Sequence, residues 1–146
     1  MKIAFLNHGL FTLILFAFVL TSLPSCIWDQ ETPEPTFTAK LVGTWDITSY
    51  VLDGDELMGL ISDTAYITFG EPIGNSGIFT QLVSFTNEDS VLVSGRYIID
   101  EANMQVTMYY EGEPVVVDIT FTGDDKMLWE GAEGGYPLVL NLTKRQ

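Results

Sequence analysis

The stretch "LVGTWDITSYVLD", residues 41–53, is the first to indicate the fold, because mostly apolar and mostly polar side chains alternate along it. One face of the alternation carries Trp45, Ile47, Ser49 and Val51. A period of two residues is that of a β-strand, in which successive side chains point to opposite faces. The stretch ends at "DGDE", residues 53–56, whose composition is typical of a turn. We therefore predict a first strand here.

Seven further stretches have the same strand character and are separated by turn-forming residues. They are "TAYITFG" (64–70), "IFTQLVSFT" (78–86), "VLVSGRYIID" (91–100), "MQVTMYY" (104–110), "VVVDITFT" (115–122), "KMLWE" (126–130) and "LVLNLTKR" (138–145). One short segment, "DELMGLI" (55–61), favours a helical turn. Short hairpin connections between strands favour closure, which removes the exposed edges of an open sheet. The chain is therefore predicted to be all-β, an eight-stranded antiparallel up-and-down β-barrel.

An eight-stranded barrel encloses an interior that side chains just fill or share with one small ligand. The alternation predicts which side chains point inward. These are Trp45, Ile47, Ile67, Phe69, Phe79, Phe85, Tyr97, Met108, Tyr110, Ile119 and Phe121. Because so many of these side chains are bulky, a barrel that they fill completely remains the alternative to a barrel with a cavity.

The first 25 residues have the order of charge, apolar core and small residue that is typical of a secretory signal. Lys2 precedes the apolar run Leu10–Leu20, which is shorter than the roughly twenty residues of a membrane span. The single cysteine, Cys26, follows directly in "LPSC" (23–26). Two other interpretations remain open, a signal peptide with an incidental cysteine and an uncleaved N-terminal helix.

The tetrapeptide "LPSC" resembles the bacterial lipobox. The resemblance implies recognition through Leu23 and Ser25, cleavage, and lipidation of Cys26, and several acyl chains would anchor the protein firmly. It implies a signal peptide at residues 1–25 and a protein held at the outer membrane of the cell envelope, periplasmic or surface-exposed. Residues 26–38 are polar and proline-rich, so we predict a flexible, disordered tether there. The folded domain is predicted to span residues 39–146.

A second resemblance rests on "LVGTW" at the start of the first strand and "TKR" at the end of the last. Both are similar to the glycine-x-tryptophan signature and closing basic residue of lipocalins, and the whole pattern resembles small lipocalin-like lipoproteins of the Bacteroidota. The resemblance implies that Gly43 and Trp45 close one end of the barrel. It also implies that Arg145, or Lys144, lies over Trp45 as a cation–π lid.

Charge and composition exclude several function classes. Lys2 is the one charged residue of the leader, so the remaining chain carries five basic and twenty acidic residues, a net charge of −15. Such a surface repels nucleic-acid phosphates and anionic lipid headgroups. The one histidine, His8, lies in the leader, which leaves no imidazole for triad catalysis or a zinc site. We therefore predict no enzyme activity, no metal, no cofactor and a monomer, with membrane contact through the anchor alone.

Polar residues on apolar faces are the candidates for a binding site. Gln81 alternates with large apolar residues in the third strand, and Ser49 does so in the first. In one interpretation they form hydrogen bonds to each other, to the backbone or to a buried water. In the other they orient a ligand in an apolar pocket. The residues predicted to line such a pocket are Ser49, Phe69, Phe79, Gln81, Phe85, Tyr97, Met108 and Tyr110. The predicted function is non-catalytic binding of a small, mostly apolar ligand. The alternative is a filled-barrel structural module that contacts a protein or glycan through its loops or outer surface.

Overall fold

The predicted alternation forms a sheet that closes on itself in the computed structural model. The structure describes residues 33–86, 88–110 and 113–146, without the side chains of residues 62, 63 and 113. Glu34–Gln146 form one compact unit. Cys26 and the leader lie outside the described residues.

Nine strands follow one another along the described chain. They are β1 (Gly43–Leu52), β2 (Asp55–Glu56), β3 (Ile61–Phe69), β4 (Ser76–Phe85), β5 (Val91–Asp100), β6 (Gln105–Tyr110), β7 (Glu113–Phe121), β8 (Lys126–Glu133) and β9 (Tyr136–Lys144). Apart from β2, each pairs antiparallel with its neighbour in sequence, and β9 pairs with β1. The eight long strands therefore form a closed antiparallel barrel, which confirms the predicted fold class.

The short elements differ from the sequence prediction. The segment predicted as a helical turn contains the two-residue strand β2, which pairs with the end of β1, and a 3₁₀-helix at Met58–Leu60. A helix that was not predicted, α1 (Phe37–Leu41), precedes β1. Thr36 caps it, because the Thr36 hydroxyl accepts a hydrogen bond from the Ala39 amide at 3.2 Å. Phe37 and Thr38, which the sequence placed in the tether, are thus the first residues of α1.

The barrel interior is filled with apolar side chains over most of its length. Each of the eleven residues predicted to point inward is buried or packed against the buried core. The largest fully buried side chains include Trp45, Phe69, Phe79 and Tyr97. Phe69 contacts the Tyr97 ring edge-on, with centroids 5.3 Å apart. These eleven side chains therefore point inward, as the alternation predicted.

One end of the barrel is closed by α1 and Trp45. Trp45 has no solvent exposure, and its indole nitrogen donates a hydrogen bond to the Leu41 carbonyl at 2.8 Å. Phe121 packs against both Trp45 and Phe37, so the helix is sealed onto the barrel by aromatic contacts. Trp45 is thus completely buried beside α1 at this end of the barrel. We call this the closed end.

The basic residue over Trp45 is Lys144 and not Arg145. Lys144 Nζ lies 5.2 Å from the centroid of the Trp45 ring and donates to the Lys40 carbonyl at 2.9 Å. Arg145 pairs with Asp46 and stacks on Tyr66, 4.9 Å from its ring centroid. Successive side chains of a strand point to opposite faces. Lys144 pairs with Trp45 across β9 and β1 and shares its face, so Arg145, the next residue, lies on the outer face.

A register shift in β1 overturns the predicted position of Ser49. The pairing of β1 with β9 shifts between Ile47 and Ser49, which marks a β-bulge. The extra residue reverses the alternation, so Tyr50 and Leu52 pack against the core after it. Ser49 points outward and donates a hydrogen bond to Glu56 Oε2 at 2.7 Å. The prediction that Ser49 lines the interior was wrong for this reason.

Candidate functional site

A cavity of about 220 Å³ lies at the end of the barrel opposite Trp45, which we call the open end. Strands β1, β4, β5, β6 and β8 contribute to it with their residues farthest from α1. Its lining consists of Tyr50, Gln81, Val83, Phe85, Val91, Val93, Tyr110 and Glu133. A second, smaller cavity of about 40 Å³ lies toward the barrel centre and shares three of these lining residues, Gln81, Tyr110 and Glu133. The two cavities therefore adjoin.

The wall of the larger cavity is mostly apolar and comes from the β4–β5 pair. Val83 pairs with Val91 and Gln81 with Val93, so these four inward side chains form one continuous patch. Val91 is 48% exposed although its side chain is apolar. An apolar residue left half exposed inside a concave site is available to contact an apolar ligand.

The rim of the larger cavity carries a hydrogen-bonded pair, Tyr50 and Glu133. The Tyr50 phenol donates to Glu133 Oε2. Burial of Tyr50 in the barrel mouth, together with the hydrogen bond and negative charge of Glu133, raises the pKa of the Tyr50 phenol far above its ordinary value. Tyr50 is therefore a neutral phenol at physiological pH and donates its hydrogen bond to Glu133.

The carboxylate of Glu56, close by in sequence, has a structural role. Its oxygens accept hydrogen bonds from Ser49 Oγ and from the amides of Tyr50 and Met58, at 2.7, 3.1 and 3.0 Å. The bond from Ser49, and after it those from the two amides, holds the pKa of Glu56 below its usual range. Glu56 thus fixes the turn after β1 and is not a free group of the cavity.

The predicted site residues of the barrel divide into four groups. Gln81, Phe85 and Tyr110 are brought together at the larger cavity, and Met108 lines the smaller one with Gln81 and Tyr110. Phe69, Phe79 and Tyr97 are packed in the core, each at most 1% exposed, and line neither cavity. Ser49 lies on the outer face. Gly43 and Trp45 stand at the closed end, away from both cavities.

Most residues that line the two cavities were not predicted to do so, and those among them with polar groups are Tyr50, Glu133 and Trp129. Tyr50 was missed because nothing in the alternation indicated the bulge. Glu133 was missed because the strand "KMLWE" was ended at Glu130, whereas β8 continues to Glu133. Continuing the period of two from Met127 and Trp129 through Gly131 would have placed Glu133 inward. Among the described residues, no three His, Cys, Asp or Glu side chains are grouped so that they could hold a metal ion.

The Tyr50–Glu133 pair predicts a specific alkaline titration. Below the ordinary phenol pKa of 10.0 the pair contributes its full stability, and this is lost as the pH rises through the raised pKa of Tyr50. Replacing Glu133 by glutamine should lower the pKa of Tyr50, yet leave it above 10.0, because burial is the larger cause. The pKa of Tyr50 is measured from the ultraviolet absorbance of the phenolate as the pH rises. The contribution of Tyr50 is the part of the titration that Tyr50→Phe lacks.

The control for this titration is Glu130→Gln, which removes a carboxylate from an exposed position of the same strand. It should leave the Tyr50 titration unchanged. A Tyr50 phenol that ionises near pH 10.0 in the unchanged protein would contradict the described pair.

Comparison with known proteins agrees with the barrel architecture. No protein-family model and no curated protein matches the chain. One solved structure similar to it is a redesigned β-barrel, with a TM-score of 0.59 and 12% identity over 77% of this chain and 98% of that chain. Another is the redesigned β-barrel mFAP1 bound to DFHBI, with a TM-score of 0.56 and 13% identity over 75% of this chain and all of that chain. At such low identity the likeness establishes the fold alone, a small eight-stranded antiparallel β-barrel.

Proposed function

We propose that this protein binds one small, mostly apolar molecule in the open-end cavity and does so without catalysis. The observation that carries the proposal is the cavity of about 220 Å³, with valines and a phenylalanine as its wall and Tyr50, Gln81, Tyr110 and Glu133 as its polar residues. Binding pockets usually combine a largely apolar lining with a few placed polar groups. A cavity of about 150 Å³ engineered in another protein takes up benzene, so this one has room for a somewhat larger molecule.

Two further considerations support binding without reaction. The small molecule DFHBI is bound by mFAP1, which has a similar fold, although fold by itself does not determine function. The polar groups of the cavity are an amide, two phenols and one carboxylate already paired with a phenol. Such a set offers hydrogen bonds to a ligand but neither a paired base and nucleophile nor two unpaired carboxylates.

The second candidate function is a module that acts through its outer surface. It is favoured by apolar residues that the outer face leaves exposed, Ile78, Leu92 and Val116, at 61%, 65% and 52%. The closed-end half of the barrel, filled by side chains, is compatible with either function. The occupancy of the open-end cavity therefore separates the two candidates.

Native mass spectrometry of the purified protein, followed by solvent extraction, tests the binding function. We expect a stoichiometric small molecule on the unchanged protein. Val93→Phe, which adds a ring inside the cavity, should remove it, whereas Leu92→Phe, which adds the same ring on the outer face, should retain it. Equal retention by both variants would mean that the molecule is bound elsewhere and would overturn the proposed site.

The proposal also places the protein at the bacterial outer membrane, attached through Cys26. It is supported by the leader, by the lipobox-like "LPSC", and by the resemblance of "LVGTW" and the chain's end to lipocalin-like lipoproteins. Among the described residues, no helix is both long enough and apolar enough to cross a membrane.

Cys26→Ala should abolish incorporation of labelled fatty acid and either release the protein from the membrane fraction or stall its processing. The reason is that the thiol is the attachment point of the acylated group. Ser22→Ala, in the leader but outside "LPSC", is the matched control and should behave like the unchanged protein. Normal membrane retention of Cys26→Ala would instead favour an uncleaved N-terminal helix.

A further inference from the structure

The indole nitrogen of Trp129 is the one buried side-chain polar atom without a hydrogen-bond partner among the described residues. Trp129 lies on β8, points into the barrel and is 4% exposed. Its side chain lines the smaller cavity of about 40 Å³. Buried donors are nearly always satisfied, so an unpaired one beside a cavity points to a partner that the cavity would hold.

Trp45 provides the comparison within the same barrel. Its indole nitrogen is equally buried, but it donates to the Leu41 carbonyl at 2.8 Å. At the closed end, where the tryptophan is a plug, the chain thus supplies an acceptor of its own. At Trp129, the described chain supplies none.

Gly131 adjoins the Trp129 indole nitrogen and has no side chain to cover it. It follows Trp129 by two residues on β8 and so lies on the same inward face, nearer the open end. A Cβ atom at Gly131 would stand 3.4 Å from the Val116 carbonyl oxygen, 3.5 Å from Trp129 Nε1 and 3.6 Å from Val117 Cγ2. These are ordinary contact distances, so an alanine would fit there and would cover the N–H group.

The chemistry of the surroundings limits what can pair with this nitrogen. An indole N–H donates and cannot accept, so its partner is an acceptor such as a carbonyl, ether or hydroxyl oxygen. Glu133, which also lines this cavity, and the acidic chain as a whole disfavour an anionic acceptor. Met108, Val115, Leu138 and Leu140 make the rest of the lining mostly apolar.

We propose that the Trp129 indole N–H donates a hydrogen bond to a neutral oxygen acceptor of the bound molecule and thereby selects for ligands that carry one. This inference rests on the proposed binding function and names its ligand class: neutral, mostly apolar molecules with a carbonyl or hydroxyl oxygen. The apolar part occupies the larger cavity, and the oxygen reaches the smaller one past Gln81, which lines both.

The test uses two probes of nearly equal shape, acetophenone and α-methylstyrene, which differ in having C=O or C=CH₂. Binding to the purified full-length protein is followed by NMR of the indole N–H groups and of the valine methyl groups. We expect acetophenone to bind about tenfold more tightly, which is the usual scale for one buried hydrogen bond. It should also shift the Trp129 N–H signal while leaving that of Trp45 in place.

Two variants assign the effect to the indole nitrogen. Trp129→Phe removes the donor and Gly131→Ala covers it, and each should abolish the preference for acetophenone. Gly59→Ala, with no atom within 4 Å of the added Cβ, is the matched control and should keep the preference. Retention of the preference in Trp129→Phe would overturn the inference.

The outcomes separate this inference from the proposed function. If both probes shift the methyl groups of Val83 and Val93 with equal affinity and Trp129 does not respond, the inference is overturned while the binding function stands. If neither probe binds, both are overturned.

Discussion

Replacing Trp45 by alanine should lower the free energy of unfolding by about 3–5 kcal/mol, the range for truncating a buried large aromatic side chain. Trp45 has no solvent exposure and contacts Phe121, so its removal leaves a cavity at the closed end. It also removes the hydrogen bond to the Leu41 carbonyl, which joins α1 to β1. Lys144 would lose the ring beneath its ammonium group. Equilibrium unfolding in urea measures the change.

The matched control for Trp45→Ala is Tyr136→Ala, which truncates an aromatic side chain that is 56% exposed. A surface substitution of this kind should change the free energy of unfolding by about 0.5 kcal/mol or less. Trp45→Phe should fall between the two, because it keeps an aromatic ring and loses the indole hydrogen bond. A melting temperature that does not change in Trp45→Ala would contradict the assignment of Trp45 as the plug.

Replacing Gly95 by alanine should have the second largest effect, a loss of about 3 kcal/mol, at the upper end of the range for overpacking a core. An added Cβ would lie 2.1 Å from the Tyr109 carbonyl oxygen and 2.8 Å from Phe79 Cε1. The carbonyl belongs to the backbone of β6 and cannot rotate away, so the strands must separate. The gain from restricting the unfolded chain, about 0.4–1 kcal/mol, is smaller than this cost.

Gly59→Ala is the control for Gly95→Ala, because it adds the same methyl group where no atom lies within 4 Å. It should leave the free energy of unfolding nearly unchanged. Equal stability of the Gly95 and Gly59 variants would show that β5 and β6 do not approach each other at Gly95 as described. A glycine at this position is one of the usual means by which a strand bends in a small barrel.

Most of the barrel could be predicted from the sequence because the alternation directly reports which side chains point inward. Phe79 and Val83, for example, both follow the period of two in β4, and both are buried. The prediction failed for Ser49, where the bulge inserts one residue and exchanges the two faces. This bulge depends on the pairing of Ile47 with Leu142 and of Ser49 with Asn141 in β9, far away along the chain, and so leaves no local signal.

The candidate site could be predicted in part. Gln81 was identified because a polar residue interrupted an apolar face, and it lies at the junction of the two cavities. Phe69 and Tyr97 share the inward face with Phe85 but pack in the core. The difference depends on depth along the barrel axis, since Phe85 lies at the open end and the other two do not. Periodicity determines the face of a strand, whereas the position of a cavity depends on how the two ends are closed.

Helix α1, which closes one end of the barrel, also depends on tertiary structure. It is five residues long and begins in the stretch whose prolines and polar residues indicated a tether, residues 26–38. So short a helix is not stable by itself. It is held by the packing of Phe37 on Phe121 and by the Leu41 side chain, which is completely buried.

A titration of the protein with benzene, followed by methyl NMR, tests the central claim most directly. If the open end holds a binding cavity, the methyl signals of Val83, Val91 and Val93 should shift together and saturate, while those of Val106 and Ile67, in the packed core, should stay in place. Methyl signals of the three cavity valines that do not respond saturably to benzene would contradict the claim. That result would favour the second candidate function, a module that acts through its outer surface.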